Sequence, residues 1–511
     1  MTELSLIFNL NGSYTLSEKG SGHLIGFFAV FNCLYNLTNA YTAKLAAHMP
    51  ISNVASGFDS QIAFIPSMIL PYSCSLWLLI VSFFITDTNK ALQRLTLRLL
   101  LTTVLACLCF YWIPLKFSFQ LPDADIAYQN LGINWRFAFA LLHAVDKPYN
   151  QFPSLHVSYA VLLLVSLWTP IAVFHNRLIA YRLSLICLCA GIAVSTLFTW
   201  QHHLLDVLGG LILAIFVLWI ERRISNTLDS TSQKLVIRYL VLAVSGFLIM
   251  ASLPTLFIRF DNVIYPIAIK FFAYCWLFSF GLLSFLYVKS NVELNRRIFS
   301  KNPDGHLTNF AYILQLPICA SYYLLWQIMT KCNRLTPFTE RETIQCQFYH
   351  QTIEICASPK LSNAETANLT HFFSKYQKIV WLDVTSEISS IFWQLKQTQP
   401  TAILTYHYLP LLDLQPFDSL DITSLVHFLA SVSQTLGTQS DDAPVLILCQ
   451  CTMGWSRSVA MLACCLAYFG QFCPHIIHQL IDSHYPSHQV TQDYLSDQTL
   501  INLQQKSSTL L

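Results

Sequence analysis

The sequence predicts a polytopic α-helical membrane domain of about eight spans, followed by a C-terminal α/β domain. Three observations point there. Of the 511 residues, 54% are hydrophobic and only 11% are charged, and the mean hydropathy is +0.49. A soluble domain carries about 25% charged residues, so one large soluble core is excluded. Disorder is excluded as well, because it needs low hydrophobicity and high net charge. The charge is also split unevenly. Residues 1–330 hold 20 Lys and Arg against 13 Asp and Glu, whereas 331–511 hold 9 against 14. Finally, the long apolar runs are confined to the first part, and the second alternates short apolar runs with polar stretches. The net charge of +2 carries no sign of nucleic-acid binding.

A bilayer crossing takes about 20 apolar residues. Such runs lie at 24–42, 64–85, 95–115, 154–174, 180–199, 204–220, 236–258 and 263–287. Asn32, Asn36 and Asn39 interrupt the first, and the sixth is short and opens on His202-His203. Cations in short loops set orientation. Lys90, Arg94 and Arg98 follow the second run, and His175, Arg177 and Arg182 follow the fourth. Arg222, Arg223, Lys234 and Arg238 follow the sixth; Lys289, Arg296, Arg297 and Lys301 follow the eighth. These basic exits predict cytoplasmic loops, with loops 116–152 and 200–203 on the other face. The stretch 308–328 allows two readings. As a ninth span it carries the C-terminal domain outside; as an interfacial segment it leaves that domain in the cytoplasm. Gln315, Pro317 and Gln327, with flanking Lys331 and Arg334, favour the interfacial reading.

The expected organisation is an N-terminal segment with the first span (1–60), a membrane core (61–225), further spans with an interfacial linker (226–330), and an α/β domain (335–511). The 16 Cys form no CxxC pair and no zinc-finger spacing, so neither a structural metal nor a disulfide framework is expected. Glu3, Glu18 and Lys19 ahead of the first apolar run argue against a cleaved signal peptide.

Two constellations carry chemistry. In the membrane part, Phe152-Pro153-Ser154-Leu155-His156 opens the fourth run. Ser195-Thr196, five residues, and His202-x3-Asp206 lead into the sixth. Two helices separate the segments, so both return to one membrane face. His202 and Asp206 share a helix face at i,i+4. There the Asp can orient the imidazole and stabilise its protonated form. An oriented His can attack phosphorus, and a second His, His156, can protonate the leaving oxygen.

These residues resemble the type 2 phosphatidic acid phosphatase superfamily, which carries PSGH and SRx5Hx3D. Leu155 in place of Gly, in an apolar FPSLH context, is similar to the inositolphosphorylceramide and sphingomyelin synthase branch. The resemblance spans roughly residues 60–220 and implies a six-helix core. It also implies His202 as nucleophile, Asp206 as its partner, His156 as acid, and Ser154 and Ser195 beside the substrate. The family's second-motif Arg is Thr196 here, and no KxxxxxxRP segment is present. Lys116, Arg136 and Lys147 are cations on the expected active face.

In the C-terminal part, residues 445–458 read VLILCQCTMGWSRS. An apolar strand-like run meets a loop with Gly454 and then a helical run, a strand–loop–helix unit. Its backbone N–H groups and helix N-terminus cradle an anion, which favours the thiolate of Cys451. Arg457 stands where its fork can clamp a phosphoryl group, and Ser458 can bond the sulfur. This segment resembles the signature loop, HCxxGxxRS, of protein tyrosine and dual-specificity phosphatases, with Gln450 in place of the His. The resemblance spans roughly 340–505 and implies a cysteine-phosphatase domain with a general-acid Asp on an upstream loop. Asp413, in Tyr408-Leu-Pro-Leu-Leu-Asp413, is preferred to Asp418 for that place. Asp383 resembles a strand residue outside the catalytic centre.

Neither chemistry calls for a cofactor or a metal. The order of the two regions resembles a bacterial two-domain arrangement, which implies an inner-membrane protein. The partners implied are phosphorylated lipids, phosphoproteins or both, with no nucleic acid. Three readings stand: a bifunctional membrane phosphatase or phosphotransferase, a cysteine phosphatase anchored by a degenerate membrane domain, and a non-catalytic binder of phosphorylated ligands.

Overall fold

The computed structural model describes residues 16–86, 88–116, 132–145, 148–169, 178–227, 230–257, 264–332, 343–349, 351–361, 369–390, 392–398, 402–436, 444–492 and 494–510. Lys147, His175, Arg177 and Arg334 lie outside the described residues, as do residues 117–131 of the loop 116–152. The chain forms two compact units. One is Met1–Thr227 with Ile237–Leu277; the other is Leu228–Val236 with Phe278–Leu511.

The first unit is helical. It contains α1 (Leu16–Ala46), α2 (Ile69–Ser82), α3 (Asn89–Trp112), α4 (Ile133–Val145), α5 (Leu155–Ser166), α6 (Leu178–Phe198) and α7 (Leu204–Thr227). Most of α8 (Ser230–Phe257) and the first half of α9 (Ile264–Lys289) belong to it too. Among the described residues, five helices are long and apolar enough to cross a membrane: α3, α6, α7, α8 and α9. With the apolar composition, these helices mark a membrane protein.

Two polar side chains of α1 are satisfied within the helix. Asn36 donates to the Asn32 carbonyl at 2.8 Å, and Thr38 to the Leu34 carbonyl at 3.0 Å, so both polar groups bond their own helix. Helices α2 and α5 are shorter than their apolar runs, at 14 and 12 residues. A 3-10 turn at Pro66–Met68, opened by Pro66, takes up the start of the α2 run. Helix α4 occupies a stretch whose sequence reads as loop. Phe27, Leu99, Phe110, Leu162, Val217 and Phe247 bring α1, α3, α5, α7 and α8 into one core.

Besides the start of α8, the second unit holds the end of α9, then α10 (Val292–Ile298), α11 (Asn309–Leu314) and α12 (Leu316–Lys331). The apolar stretch 308–328 is therefore two helices broken at Gln315, each too short to span alone. The α/β part follows with β1 (Ile344–Phe348), β2 (Gln351–Ser358), α13 (Thr370–Phe373), β3 (Lys378–Thr385), α14 (Phe392–Thr398), β4 (Ile403–Leu411), α15 (Ile422–Leu436), β5 (Val445–Gln450), α16 (Arg457–Tyr468), α17 (Pro474–His484) and α18 (Asp497–Leu510).

The strands form one mixed sheet in the order β1-β2-β5-β3-β4. Only β1 runs antiparallel to its neighbour. Strand alternation divides the core in two. Val380, Leu382, Ile447 and Cys449 face α15, α16 and α18. Ile379, Trp381, Leu446 and Leu448 face Phe372, Phe373, Phe392 and Leu395. Covered on both faces, β3 and β5 read as continuous apolar runs, as buried parallel strands do. The carboxyl ends of β5, β3 and β4 are neighbours, and such an edge is where open α/β sheets place ligands.

Candidate active sites

The site in the first unit is built where α5 and α7 begin. Ser154 N–H donates to the Asp206 carbonyl at 3.0 Å, tying the two helix starts together. Gly209 and Gly210 permit the approach. A Cβ on Gly209 would stand 2.3 Å from the Phe152 ring, and one on Gly210 2.5 Å from the Ser154 carbonyl oxygen. The Gly-Gly pair just after Asp206 was the available signal, and its role was missed in the sequence.

Helix α7 starts with four N–H groups that its own turns cannot satisfy. Asp206 Oδ2 reaches back to accept from His203 N–H at 2.9 Å, half of a capping box. Asp59 Oδ1 accepts from Leu204 N–H at 2.9 Å, and Asp59 Oδ2 is held by Ser56 N–H and Oγ at 2.6 and 2.7 Å. Both carboxylates lie at the positive end of the α7 dipole. Asp59 also sits 3.7 Å from His203 Nδ1, a pairing across 144 positions that no local pattern announces.

His202 Nδ1 lies 3.6 Å from Asp206 Oδ2, and the His202 and His156 rings are 5.9 Å apart between centroids. Tyr72 stacks beside His156 at 4.4 Å, with its Oη 3.5 Å from Nδ1. The structure thus brings Ser154, His156, His202 and Asp206 together. Among the described residues, Ser154 Oγ, His202 Nδ1 and Asp206 Oδ1 are buried there without a hydrogen bond. Buried orphans of this kind are rare and call for an explanation, such as a polar ligand or water.

Ser195 and Thr196 serve the backbone instead. Ser195 Oγ donates to the Ile192 carbonyl and Thr196 Oγ1 to the Ala193 carbonyl, each at 2.7 Å. The Thr196 carbonyl accepts from Gln201 and His202 N–H groups at 3.0 and 3.1 Å, which sets the turn that presents His202. Lys116 and Arg136 are exposed, and the structure does not join them to the His pair.

The second site lies at the carboxyl ends of β5, β3 and β4. Cys451 follows β5 and is buried, with its sulfur 3.2 Å from Ser458 Oγ and accepting from Gly454 N–H at 3.1 Å. Gly454 has φ +80, and a Cβ there would stand 2.8 Å from Pro359 N, so only glycine fits the turn. Gln450 turns away. Its Oε1 accepts from Trp381 Nε1 at 3.2 Å and from Ser390 Oγ at 2.9 Å.

Arg457 opens α16 and is gripped by Glu387, with Nη1 to Oε2 at 2.9 Å and Nη2 to Oε1 at 2.5 Å. Glu387 follows β3 in Thr385-Ser386-Glu387, and the sequence reading gave it no role. Its place just past an apolar strand run was the only signal. Burial pushes the Glu387 carboxyl up, but Arg457 and hydrogen bonds from Thr452 and Ser386 outweigh it and bring it down to about 2. Arg457 is correspondingly held well above its ordinary value, against the effect of its burial.

Glu387→Ala leaves a buried guanidinium without this partner and is expected to cost about 3–5 kcal/mol of stability, read from denaturant melts. A loss under about 1 kcal/mol would refute the buried pairing. A carboxyl held low stabilises the fold fully above its unfolded value of about 4.3. That stability fades as pH falls toward about 2.

Asp413 follows β4, and its Oδ1 is 3.4 Å from Arg457 Nη2. Tyr322 Oη donates to Asp413 Oδ2 at 3.3 Å, and Tyr287 Oη donates to the Asp413 carbonyl. Burial raises the Asp413 carboxyl, Arg457 opposes this, and Glu387 adds to it; the net direction is up. Asp418 is elsewhere, accepting from Ser496 N–H and Thr499 Oγ1 at the start of α18. Asp383 is buried in an ion pair with Lys301 at 2.7 Å and accepts from Tyr406 Oη at 2.6 Å.

Residues 95–229 match the family model of the PAP2 superfamily, whose members are phosphatases. The matched segment contains His156, His202 and Asp206 and points to a phosphatase or a lipid phosphate-related function in a membrane setting. No curated protein matches the chain.

Proposed function

We propose that the chain is a bifunctional membrane phosphatase or phosphotransferase; the PAP2 superfamily match over residues 95–229 supports its His-dependent half. A His-dependent site in the first unit acts on lipid phosphates, and a Cys-dependent site in the second acts on phosphomonoesters. The observation that carries the first half is the convergence of His156, His202 and Asp206 inside the matched segment, and the second half is supported by the Cys451 sulfur beside Ser458 Oγ and Gly454 N–H, with Arg457 held by Glu387.

In the His site, Asp206 Oδ2, 3.6 Å from His202 Nδ1, is placed to orient the imidazole and leave Nε2 as the attacking atom. An N–P bond forms as the P–O bond to the lipid breaks, and His156 gives its proton to the leaving oxygen. Water, or a lipid hydroxyl in the synthase-like variant, then takes the phosphoryl group from His202. The basic exits of the even-numbered runs support an outward His site and a cytoplasmic C-terminal unit, and the order of the two regions, which resembles a bacterial arrangement, supports an inner membrane.

In the Cys site, the Cys451 thiolate attacks phosphorus while Arg457 binds the equatorial oxygens. Asp413 protonates the leaving oxygen, then accepts a proton from the water that cleaves the S–P bond. Glu387 fixes the Arg457 fork. Asp413→Asn is expected to slow hydrolysis of an alkyl phosphate about 10²–10⁴-fold and to spare an activated aryl ester far more. The raised Asp413 carboxyl keeps its proton to higher pH than an ordinary carboxyl, so the alkaline limb it causes lies above that range. A pH–rate profile measured on both proteins tests this. An unchanged limb in Asp413→Asn would assign the proton to another group.

Thr196, which bonds its own helix where the family carries Arg, favours a second reading. In it the membrane unit is a degenerate anchor and only the Cys site turns over.

A further inference from the structure

We propose that α11 and α12 lie in the bilayer surface, and that the Cys451 site takes its phosphomonoester from a lipid headgroup presented there. The proposal rests on the reading of Cys451 as nucleophile. Helices α11 and α12 have two unlike faces. The inner face is made by Ala311 in α11, Gln315 at the break, and Ile318, Cys319, Tyr322 and Trp326 in α12; within α12 these recur at three- and four-residue spacing, the period of one helix face. The first four are buried. Tyr322 donates to Asp413, and Trp326 Nε1 donates to the Lys360 carbonyl at 3.1 Å. Lys360 N–H in turn donates to the Thr452 carbonyl in the Cys loop at 3.2 Å. This face of α12 therefore reaches from the Asp413 side of the site to the flank of the Cys loop.

The rest of the surface of the two helices is largely apolar and open. Phe310, Ile313, Leu316, Leu324, Leu325 and Ile328 are 65, 75, 38, 57, 43 and 37% exposed. A contiguous apolar face of this kind marks an interaction surface. Chain continuity says which. Helix α9 is a candidate span over Pro266–Lys289, and α10 begins at Val292, so the chain leaves the bilayer just ahead of this segment. Exposed Lys289, Arg296, Arg297 and Lys331 flank it, with Arg296 and Arg297 also 3.7 and 3.4 Å from Glu293. Such cations suit anionic headgroups. A transmembrane course is disfavoured, because the inner face is bonded to polar groups of the α/β part that cannot enter hydrocarbon. A segment with one face on a soluble domain and one apolar face lies in the interface.

A phosphate borne by a lipid then meets Cys451 from the side that α12 borders. The S–P bond forms, the P–O bond to the lipid breaks, and the lipid alkoxide leaves with the Asp413 proton. Water then releases inorganic phosphate from Cys451.

The full chain carrying His202→Ala, which silences the membrane site, is reconstituted in phosphatidylcholine vesicles containing phosphatidic acid. The double change Ile313→Glu with Leu324→Glu is expected to lower phosphatidic acid turnover about tenfold and to leave p-nitrophenyl phosphate turnover unchanged. Equal losses on both substrates, or no loss on either, would overturn the proposal. So would faster turnover of a soluble phosphotyrosine peptide than of vesicle phosphatidic acid. Independently, benzoylphenylalanine at Ile313 is expected to crosslink to lipid on illumination, and its failure to do so overturns the interfacial placement. If Cys451→Ser leaves p-nitrophenyl phosphate turnover intact while the crosslink forms, the reading of Cys451 fails and the lipid-facing placement stands.

Discussion

Cys451→Ser, in a chain whose membrane site is silenced by His202→Ala, is expected to lower aryl phosphate hydrolysis by about 10⁴-fold or more. The geometry behind this is a sulfur that accepts from Gly454 N–H and touches Ser458, close to an Arg457 fork held by Glu387. A serine hydroxyl in the same place is a far weaker nucleophile toward phosphorus than a cysteine sulfur. Phosphate release from p-nitrophenyl phosphate measures the effect. A variant that keeps the parent rate would show that Cys451 is no nucleophile and would move the activity to another residue.

His202→Ala, in a Cys451→Ser background, is expected to lower lipid phosphate turnover by a similar factor of about 10⁴. Here the effect comes from losing the atom that takes the phosphoryl group, while Asp206 and His156 remain. The reading makes a further demand on the intermediate. Protein denatured rapidly during turnover of labelled lipid phosphate should carry an acid-labile label that the His202→Ala variant lacks. Turnover equal in the two proteins would favour a degenerate membrane unit, the outcome for which Thr196 argues. Label retained after loss of His202 would move the nucleophile to another residue.

How much of this was legible in the chain depends on the distance over which each feature acts. The His202–Asp206 stacking is a local i,i+4 relation, and the loop from Cys451 to Arg457 is a seven-residue segment whose conformation Gly454 permits. Both could be read from spacing alone. The partner of Arg457 could not. Glu387 lies 70 positions away and meets Arg457 only because β3 and β5 are neighbours in the sheet. Asp413 and Asp418 are five residues apart with similar surroundings in sequence, yet one faces Arg457 and the other the start of α18. The difference is the direction in which the chain leaves β4.

The sequence by itself determined the class of the molecule. Composition and run length put the first part in a membrane, and short apolar runs alternating with polar stretches made the C-terminal part α/β. Local spacing also nominated His156, His202, Asp206, Cys451 and Arg457. Only the tertiary structure decided which acids those residues meet, that Gly209 and Gly210 let α7 close on Ser154, and that α12 turns one face to Asp413 and the other outward. The physical reason is that helix and strand periods are set by a few consecutive residues. Which surfaces are pressed together is set by packing between elements, through contacts separated by tens to more than a hundred positions.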